Sequence, residues 1–544
     1  VVRRSICLLF ACVVGAACTA SGLATAAERV DVVVVGGTPG GIAAAVAAAR
    51  LGSRVALVES HRHIGGMAAS GLGKSDIEHR AMIAGLFREF VDGVRQHYAT
   101  SFGADHPNVA LCRDGYYFEP SVAEGVFELL LAECATLRVY KGWRLADAHV
   151  ENNRLGAIDI IESATNNGEH LTAAVFVDAT YEGDLFAKAG AAFRLGRESR
   201  DAFGEPHAGV VYFDYENGRF LPGTTGAGDD RLPAYTYRLC LTTDPNNAVP
   251  LVKPPNYDRS RYLGYFEDLA EGRLATPLTF KPGRGYNAAH FGTLVRALSV
   301  TDVPGGKTDV NMNPRPLAFP FAELNRGYVT ADYAERERIC SHIRNVTLGL
   351  LYFLQNDPDV PAEHRALARQ YHLPKDEFTD SGHFPFQLYV REARRLVGEY
   401  TLTEHDVTGS DEADDGDARH YADSIAVGEF PIDSFPCRRR QPSDTIVLEG
   451  YLGMLDQITR PYEIPYRIMI PESVDALIVP VAASTTHVAY SSIRMEPTWM
   501  ALGQAAGVAA HLSVVHHIVP RDAPIAELQR VLSEQGQVIA PPSE

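Results

Sequence analysis

Between residues 29 and 59 the chain reads RVDVVVVGGTPGGIAAAVAAARLGSRVALVE, and its order of apolar and polar positions predicts three elements. Val32–Val35 is an unbroken β-branched run, the pattern of a parallel strand covered on both faces. A glycine-dense turn follows, then a helix in which the mostly alanine run 43–49 keeps side chains short, then a second apolar strand ending in Glu59. Two further apolar runs read as strands of the same kind: 175–178 within VFVDATYEGD, and 477–481 within ALIVPV. Between them, helical periodicity appears at 331–353 and 363–371, separated by proline-rich loops. Pro120, in FEPSVAE, sits where a helix begins. The fold class predicted is α/β: a Rossmann-like domain with a parallel central sheet and a βαβ start, carrying an inserted α+β domain.

The first unit has the chemistry of a dinucleotide site. Gly36 permits a tight exit from the strand, and Gly41 lets the helix pack against the sheet. The helix N-terminus then offers free N–H groups and partial positive charge to a pyrophosphate. Glu59 stands where the acid that holds the adenosine ribose is expected. The middle glycine of G-x-G-x-x-G is replaced by Thr38, followed by Pro39, and a βαβ unit with no ligand is the alternative that a partial motif leaves open.

Composition narrows the setting. The chain has 544 residues, 46% hydrophobic and 22% charged, enough for one large unit or two interleaved domains. Arg3-Arg4, an apolar run over 6–20 and small residues at 24–27 read as an export signal, residues 1–27, with a partial twin-arginine pattern. A retained membrane anchor is the alternative, disfavoured by the shortness of the run. An exported enzyme must carry its redox cofactor with it, which favours tightly held FAD over exchangeable NAD. Loss of residues 1–27 removes two arginines and no acids, moving the formal charge from −18 to −20. That balance argues against nucleic acid or anionic membrane as partners. The acidic run DEADDGD at 411–417 fails as a calcium loop, because Ala413 and Ala422 fall at ligand positions. Five cysteines remain beyond the signal: Cys112, Cys134, Cys240, Cys340 and Cys437. No C-x-x-C pair is present, thiolate zinc and iron–sulfur sites have no support, and the sequence yields no metal site and no disulfide pairing.

Past Glu59, the stretch Ser60-His61-Arg62-His63-Ile64-Gly65-Gly66-Met67, followed by Ser70-Gly71-Leu72-Gly73, suits a backbone running beside a long cofactor. With it the chain resembles FAD-dependent oxidoreductases of the glutathione-reductase structural superfamily, and most of all the exported xanthan-lyase-like group, whose own fingerprint turn has the GGTP form. Residues 118–124, 175–184 and 476–507 carry the likeness further, over about 30–535. The resemblance implies noncovalent FAD held by Gly36, Thr38, Pro39, Gly40, Gly41, Glu59, Ser60, Gly65, Gly66, Met67, Ser70, Leu145, Ala179, Thr180, Asp184, Ala482, Arg494, Met495 and Thr498. It also implies that the helix starting near Pro497 aims its N-terminus at the flavin ring. Gly503 and Gly507 in that helix permit close packing on a neighbour. His61 and His63 flank the cofactor, and either could tether it covalently, although noncovalent binding is favoured.

The domain division expected is 28–190 and 441–520 for FAD binding, 191–440 for substrate, and 521–544 as a tail. Flavin oxidation of a C–H bond needs a base for the accompanying proton, and histidine titrates in the useful range. His487 is the first candidate, as proton acceptor or flavin-side partner, and His383 the second. Arg391, Asn311 and Tyr389 are expected to orient substrate. Asn311 lies in an extended block, 307–313, with alternating polar residues. Arg391, Arg394 and Arg395 are expected along one side of a helix, surface pairing such as Arg395 with Glu399 being the plainer reading. Tyr257, Tyr262, Tyr265 and Tyr286 could wall a sugar site, with core packing the favoured alternative. The Asn345-Val346-Thr347 sequon falls in a predicted helix. The function expected is hydride transfer between a small-molecule or saccharide donor, at an alcohol carbon, and FAD. The alternatives are an NAD-dependent dehydrogenase and a non-enzymatic flavin- or ligand-binding protein. Oxygen, a quinone and a small redox protein remain open as electron acceptor.

Overall fold

A computed structural model describes residues 28–214, 217–270, 298–312, 319, 321–408, 419–441 and 448–542. Residues 1–27, read above as an export signal, the acidic run 411–417 and Tyr286 lie outside these residues. The central sheet is built from both ends of the chain. Strand β1 (Val32–Val35) leads into helix α1 (Pro39–Arg50) and β2 (Val55–Glu59). Helices α2 (Leu86–Phe102) and α3 (Pro120–Ala132) precede β3 (Leu137–Lys141). Strands β4 (Trp143–Glu151), β5 (Arg154–Glu162) and β6 (Gly168–Thr172) form an antiparallel sheet extended by a parallel pairing of Glu28–Arg29 with β6. Strand β7 (Val175–Asp178) then returns beside β1, and α4 (Asp184–Lys188) follows.

The middle of the chain contains a three-stranded sheet in which β10 (Lys307–Met312) lies between β8 (Leu239–Thr242) and β9 (Leu298–Val303). Helix α5 (Tyr333–Asn356) begins on the Asp332 cap and α6 (Ala362–Ala368) follows. The 391–395 block is not a helix: only β11 (Arg395–Leu396) is regular, paired with Phe193–Arg194. The physical reason is that its arginines are drawn to buried partners in different directions. Arg394 pairs with Asp184 and Arg395 with Glu198 and Glu392, while Glu399 pairs instead with Arg521.

Strand β12 (Leu477–Ile478) rejoins the first sheet against β7, giving the all-parallel order β12-β7-β1-β2-β3. Helices α7 (His487–Ile493) and α8 (Glu496–His516) come next, and α9 (Ile525–Glu534) occupies the expected tail, seated on Leu528 and Leu532. Helix α8 lies directly on α1. A Cβ on Gly503 would stand 1.9 Å from the Gly40 carbonyl oxygen, and one on Gly507 2.2 Å from that of Ala44. The alanine run of α1 thus serves a contact so close that its partner must be glycine. Tyr262 and Tyr265 are buried against Phe353, the packing role rather than a sugar wall. The Asn345 sequon lies within α5. Cys112, Cys134, Cys240, Cys340 and Cys437 are all free thiols. No helix among the described residues is long and apolar enough to cross a membrane.

Candidate cofactor and substrate site

At the β1–α1 turn Gly36 has φ +104°, and a Cβ there would lie 2.6 Å from the Ala179 carbonyl group. A Cβ on Gly41 would lie 1.9 Å from the Gly36 carbonyl oxygen, and one on Gly40 2.9 Å from that of Trp499. Thr38, in the place of the middle glycine, has extended backbone and caps α1. Its hydroxyl accepts from Gly41 N–H at 3.1 Å and donates to the Ala179 carbonyl at 2.9 Å, tying the turn to the end of β7. Pro39 occupies the first turn, where no N–H is needed. The departure from the glycine fingerprint is therefore a helix cap.

Glu59 ends β2, and its carboxylate accepts from Gly37 N–H at 2.6 Å, His61 N–H at 2.7 Å and the Ser60 hydroxyl at 3.0 Å. It borders a cavity of about 680 Å³ that Gly36, Thr38, Ser60, Leu145, Thr180 and Asp184 also line. Both oxygens of Asp184 are engaged by Arg336 and Arg394, so this acid joins the cavity wall to α5. Asp178 is pushed up to about 6 by burial, against the Thr180 and Phe186 donors that hold it. His61 lines the same cavity, whereas His63 is held between Glu124 and Asp380.

Farther along, Gly65 and Gly66 have φ +93° and +48°, and a Cβ on Gly66 would lie 2.3 Å from the Tyr181 hydroxyl. That hydroxyl accepts from Met67 N–H at 3.0 Å and donates to Glu496 at 2.7 Å. Glu496 opens α8 behind Met495, and no side chain caps this helix end. Burial pushes Glu496 up to about 8 despite the Tyr181 bond, so it holds a proton at neutral pH. Its second oxygen and the Thr498 hydroxyl are buried without partners. An uncapped helix N-terminus with two orphaned buried oxygens is a setting that a bound polar ring system would satisfy. Nearby, Ser70 accepts from Gln387 N–H at 2.8 Å, and the Ala482 carbonyl accepts from Leu396 N–H at 3.0 Å.

Arg494, just ahead of Met495, donates to the Tyr389 hydroxyl at 3.0 Å and to the Asp433 carbonyl at 2.6 Å. These residues lead into a second cavity of about 270 Å³, lined by Asp76, Arg238, Asp309, Asn311, Tyr389 and Asp433, with Tyr116, Phe430 and Phe435 among its aromatic walls. Arg238 holds Asp309 through two bonds of 2.7 and 2.8 Å. The Asp433 carboxylate is pushed up to about 6 by burial, which outweighs Arg494 at 3.9 Å. Arg391 lies behind the cavity, stacked 3.7 Å over Phe435 and 4.3 Å over Tyr389. It is wholly buried, donates to Ala234 and Thr236, and leaves Nε and one Nη unpaired. Burial pulls it down to about 9, so it remains a cation at neutral pH.

The sequence candidates thus separate. Asn311 and Tyr389 line the second cavity, Arg494 holds Tyr389 and the Asp433 backbone at its edge, and Arg391 stacks behind it. His487 does not join them. It is buried, and its Nδ1 lies 2.7 Å from a Glu392 oxygen. Burial alone would lower its pKa, but Glu392 and Cys437 raise it to about 10. His487 lines neither cavity, and in this structure its ring is engaged by Glu392. His383 lies outside both cavities too, in a turn with φ +59° where its ring meets the Glu377 carbonyl at 3.2 Å. Sequence reasoning missed Asp433, Asp76 and Arg238, which lie in no recognisable motif. Tyr181 and Glu496 lie inside the blocks 175–184 and 476–507, with no spacing signal of their own.

A glycine turn, an acid at the end of the second strand and a helix N-terminus returning from the far end of the chain have the arrangement of a dinucleotide-binding fold. A model of the FAD dependent oxidoreductase family matches residues 31–532, and the chain belongs to that family. It is an FAD-dependent oxidoreductase. Similar solved structures include a geranylgeranyl bacteriochlorophyll reductase-like protein of Thermoplasma acidophilum, 12% identical, covering 94% of this chain and 84% of that one with a TM-score of 0.35. The glycerol-3-phosphate dehydrogenase of Bacillus halodurans complexed with FAD is 15% identical over 36% of this chain and 44% of that one, TM-score 0.23. The L-proline dehydrogenase of P. horikoshii is 16% identical over 32% and 25%, TM-score 0.18. This chain thus spans a quarter of the proline dehydrogenase and under half of the glycerol-3-phosphate dehydrogenase. No curated protein matches it.

Proposed function

We propose that this enzyme is exported and oxidises an alcohol carbon of a small polyhydroxylated molecule or saccharide held in the cavity beside Arg494. The observation that carries the reading is the makeup of that cavity. Carboxylates, an amide and a tyrosine hydroxyl surround a small volume with aromatic walls, the combination that binds hydroxyl groups edge-on and sugar faces by stacking. FAD, when bound, supplies the two-electron acceptor that takes the hydride.

The chain's own residues supply the rest. Asp433 faces the cavity with one long ion pair and a pKa of about 6, so it is ionised at neutral pH and suited to take the hydroxyl proton. Tyr389, held by Arg494, and Asn311 orient the hydroxyls. Arg391 and Arg494 keep positive charge beside the reacting region, where negative charge gathers. His487 keeps a supporting place in this reading, anchoring α7 through Glu392. The Arg3-Arg4 segment supports export.

An anaerobic screen of sugars, polyols, alcohols and amines for bleaching of the bound flavin tests the proposal. Reduction by a polyol or sugar, with amines inert, is the expected result. A yellow protein that no donor bleaches would favour a flavin-binding role, and reduction by amines alone would overturn the substrate class.

A further inference from the structure

Away from both cavities, the antiparallel sheet gathers three side chains of a metal-binding kind. His149 on β4, Asp159 on β5 and His170 on β6 share one face, and their ligand atoms all lie within 4.8 Å of one another. His149 Nε2 stands 2.7 Å from one Asp159 oxygen, and His170 Nδ1 stands 2.7 Å from the other. The two rings are 5.2 Å apart. Asp159 is directly opposite His170 in the β5–β6 register, and His149, opposite Ala157 on β5, reaches it diagonally, with a bulge just after His149. All three ligands stand on paired strands, so little further ordering is needed to bring them together.

We propose that His149, Asp159 and His170 form a binding site for one divalent transition-metal ion, zinc or copper class. Two imidazoles and one carboxylate match the preferences of those ions and not the all-oxygen preference of magnesium or calcium. Ligand atoms about 2.0–2.1 Å from a tetrahedral zinc lie roughly 3.4 Å apart, so the 2.7 Å contacts would open and separations of up to 4.8 Å would close toward that value. Each histidine would exchange its bond to Asp159 for a bond to the metal. The three side chains are partly exposed. His149 and His170 also border a surface cavity of about 680 Å³ with Glu151 and Asp475 on its rim, so solvent or a further ligand can complete the coordination. The acidic character of the whole chain favours cation approach. Such an ion would tie β4, β5 and β6 together, and β4 also supplies Leu145 to the cofactor cavity.

The site left no sequence signal, because its spacings of ten and eleven residues are set by strand pairing and not by a local motif. The test is calorimetric titration of the chelator-treated, flavin-loaded protein with zinc chloride and, separately, with magnesium chloride. One equivalent of zinc should bind and magnesium should not. The double variant His149→Gln/His170→Gln should weaken zinc binding by about 100-fold, and Asp159→Asn by about tenfold. Because the replaced groups are on the surface, flavin content and thermal midpoint without zinc should match the parent protein, while zinc should raise the midpoint only in the parent. Absence of zinc binding, or equal zinc affinity in the double variant, would overturn the proposal.

Discussion

The two cavities of this enzyme are built by different means. Around Glu59 one wall is the β1–α1 turn, a continuous stretch of chain closed in by backbone, and side chains of α5 and of residues 381–388 complete the cavity. There Gly36, Gly40 and Gly41 are required because carbonyl groups of Ala179, Trp499 and Gly36 stand where a side chain would go. Around Asp433 the walls are side chains drawn from many separate segments, among them those near residues 76, 116, 238, 309, 389 and 433. They are held by buried charge pairing such as Arg238 with Asp309. A site made of close backbone approaches tolerates almost no substitution at its glycines. A site made of side chains can lose one group and keep its shape, provided no charge is stranded.

The comparison can be broken most severely from the backbone side. Gly41→Val should abolish flavin binding and cost at least ~3 kcal/mol of stability, because the added carbons have only the Gly36 carbonyl to meet; flavin absorbance and the denaturation midpoint read both effects. On the other side, Arg238→Ala should destabilise by roughly 3 kcal/mol by leaving Asp309 buried and unpaired. The double replacement Arg238→Met/Asp309→Leu should recover much of that loss. No recovery in the double variant would show that the cavity depends on more than charge pairing.

A pH series distinguishes the regions more gently. Burial raises Glu496 to about 8, Glu205 and Glu429 to about 7, and Asp178 and Asp433 to about 6. Each keeps a proton in the folded protein at pH values where the unfolded chain has lost it. The stability they confer is complete below the ordinary carboxylate range and is lost as pH rises through 6 to 8. His487, raised to about 10, acts in the same direction at higher pH. Stability should therefore fall between pH 5.5 and 8.5, by about 2 kcal/mol or more, and urea denaturation at the two pH values checks it. The smallest effect expected is at the cap: Thr38→Ala should cost about 1 kcal/mol and Thr38→Gly only a few tenths. If Thr38→Gly proved the more damaging, the bond from Thr38 to Ala179 would matter more than the cap.

What could be read from the chain follows the same division. The β1–α1–β2 unit, the return strands 175–178 and 477–478, and the glycines of α8 were legible because each is a local pattern with one steric meaning. Helix α3 was legible from Pro120. The 391–395 block was misread because three- and four-residue spacing of arginines describes a helix face and also describes an extended loop whose arginines turn to different partners. His487 was chosen for its position in a family-like block. What sequence could not show is that Glu392 stands 2.7 Å from its ring and keeps it protonated. Asp433 carries no motif, and its function-like character arises only from burial beside Arg494.

The central claim is that the cavity beside Arg494 is where substrate gives up its proton and hydride, with Asp433 as the acceptor of the proton. The most direct measurement is anaerobic stopped-flow reduction of the bound flavin by the best donor, comparing the parent enzyme with Asp433→Asn. The account predicts unchanged flavin content and reduction slowed by roughly 10²–10⁴-fold. It also predicts that the parent rate, tracking ionised Asp433, rises about tenfold per pH unit below about pH 6 and levels above it, a dependence that the variant lacks. An Asp433→Asn enzyme reduced at the parent rate with the same pH profile would contradict it.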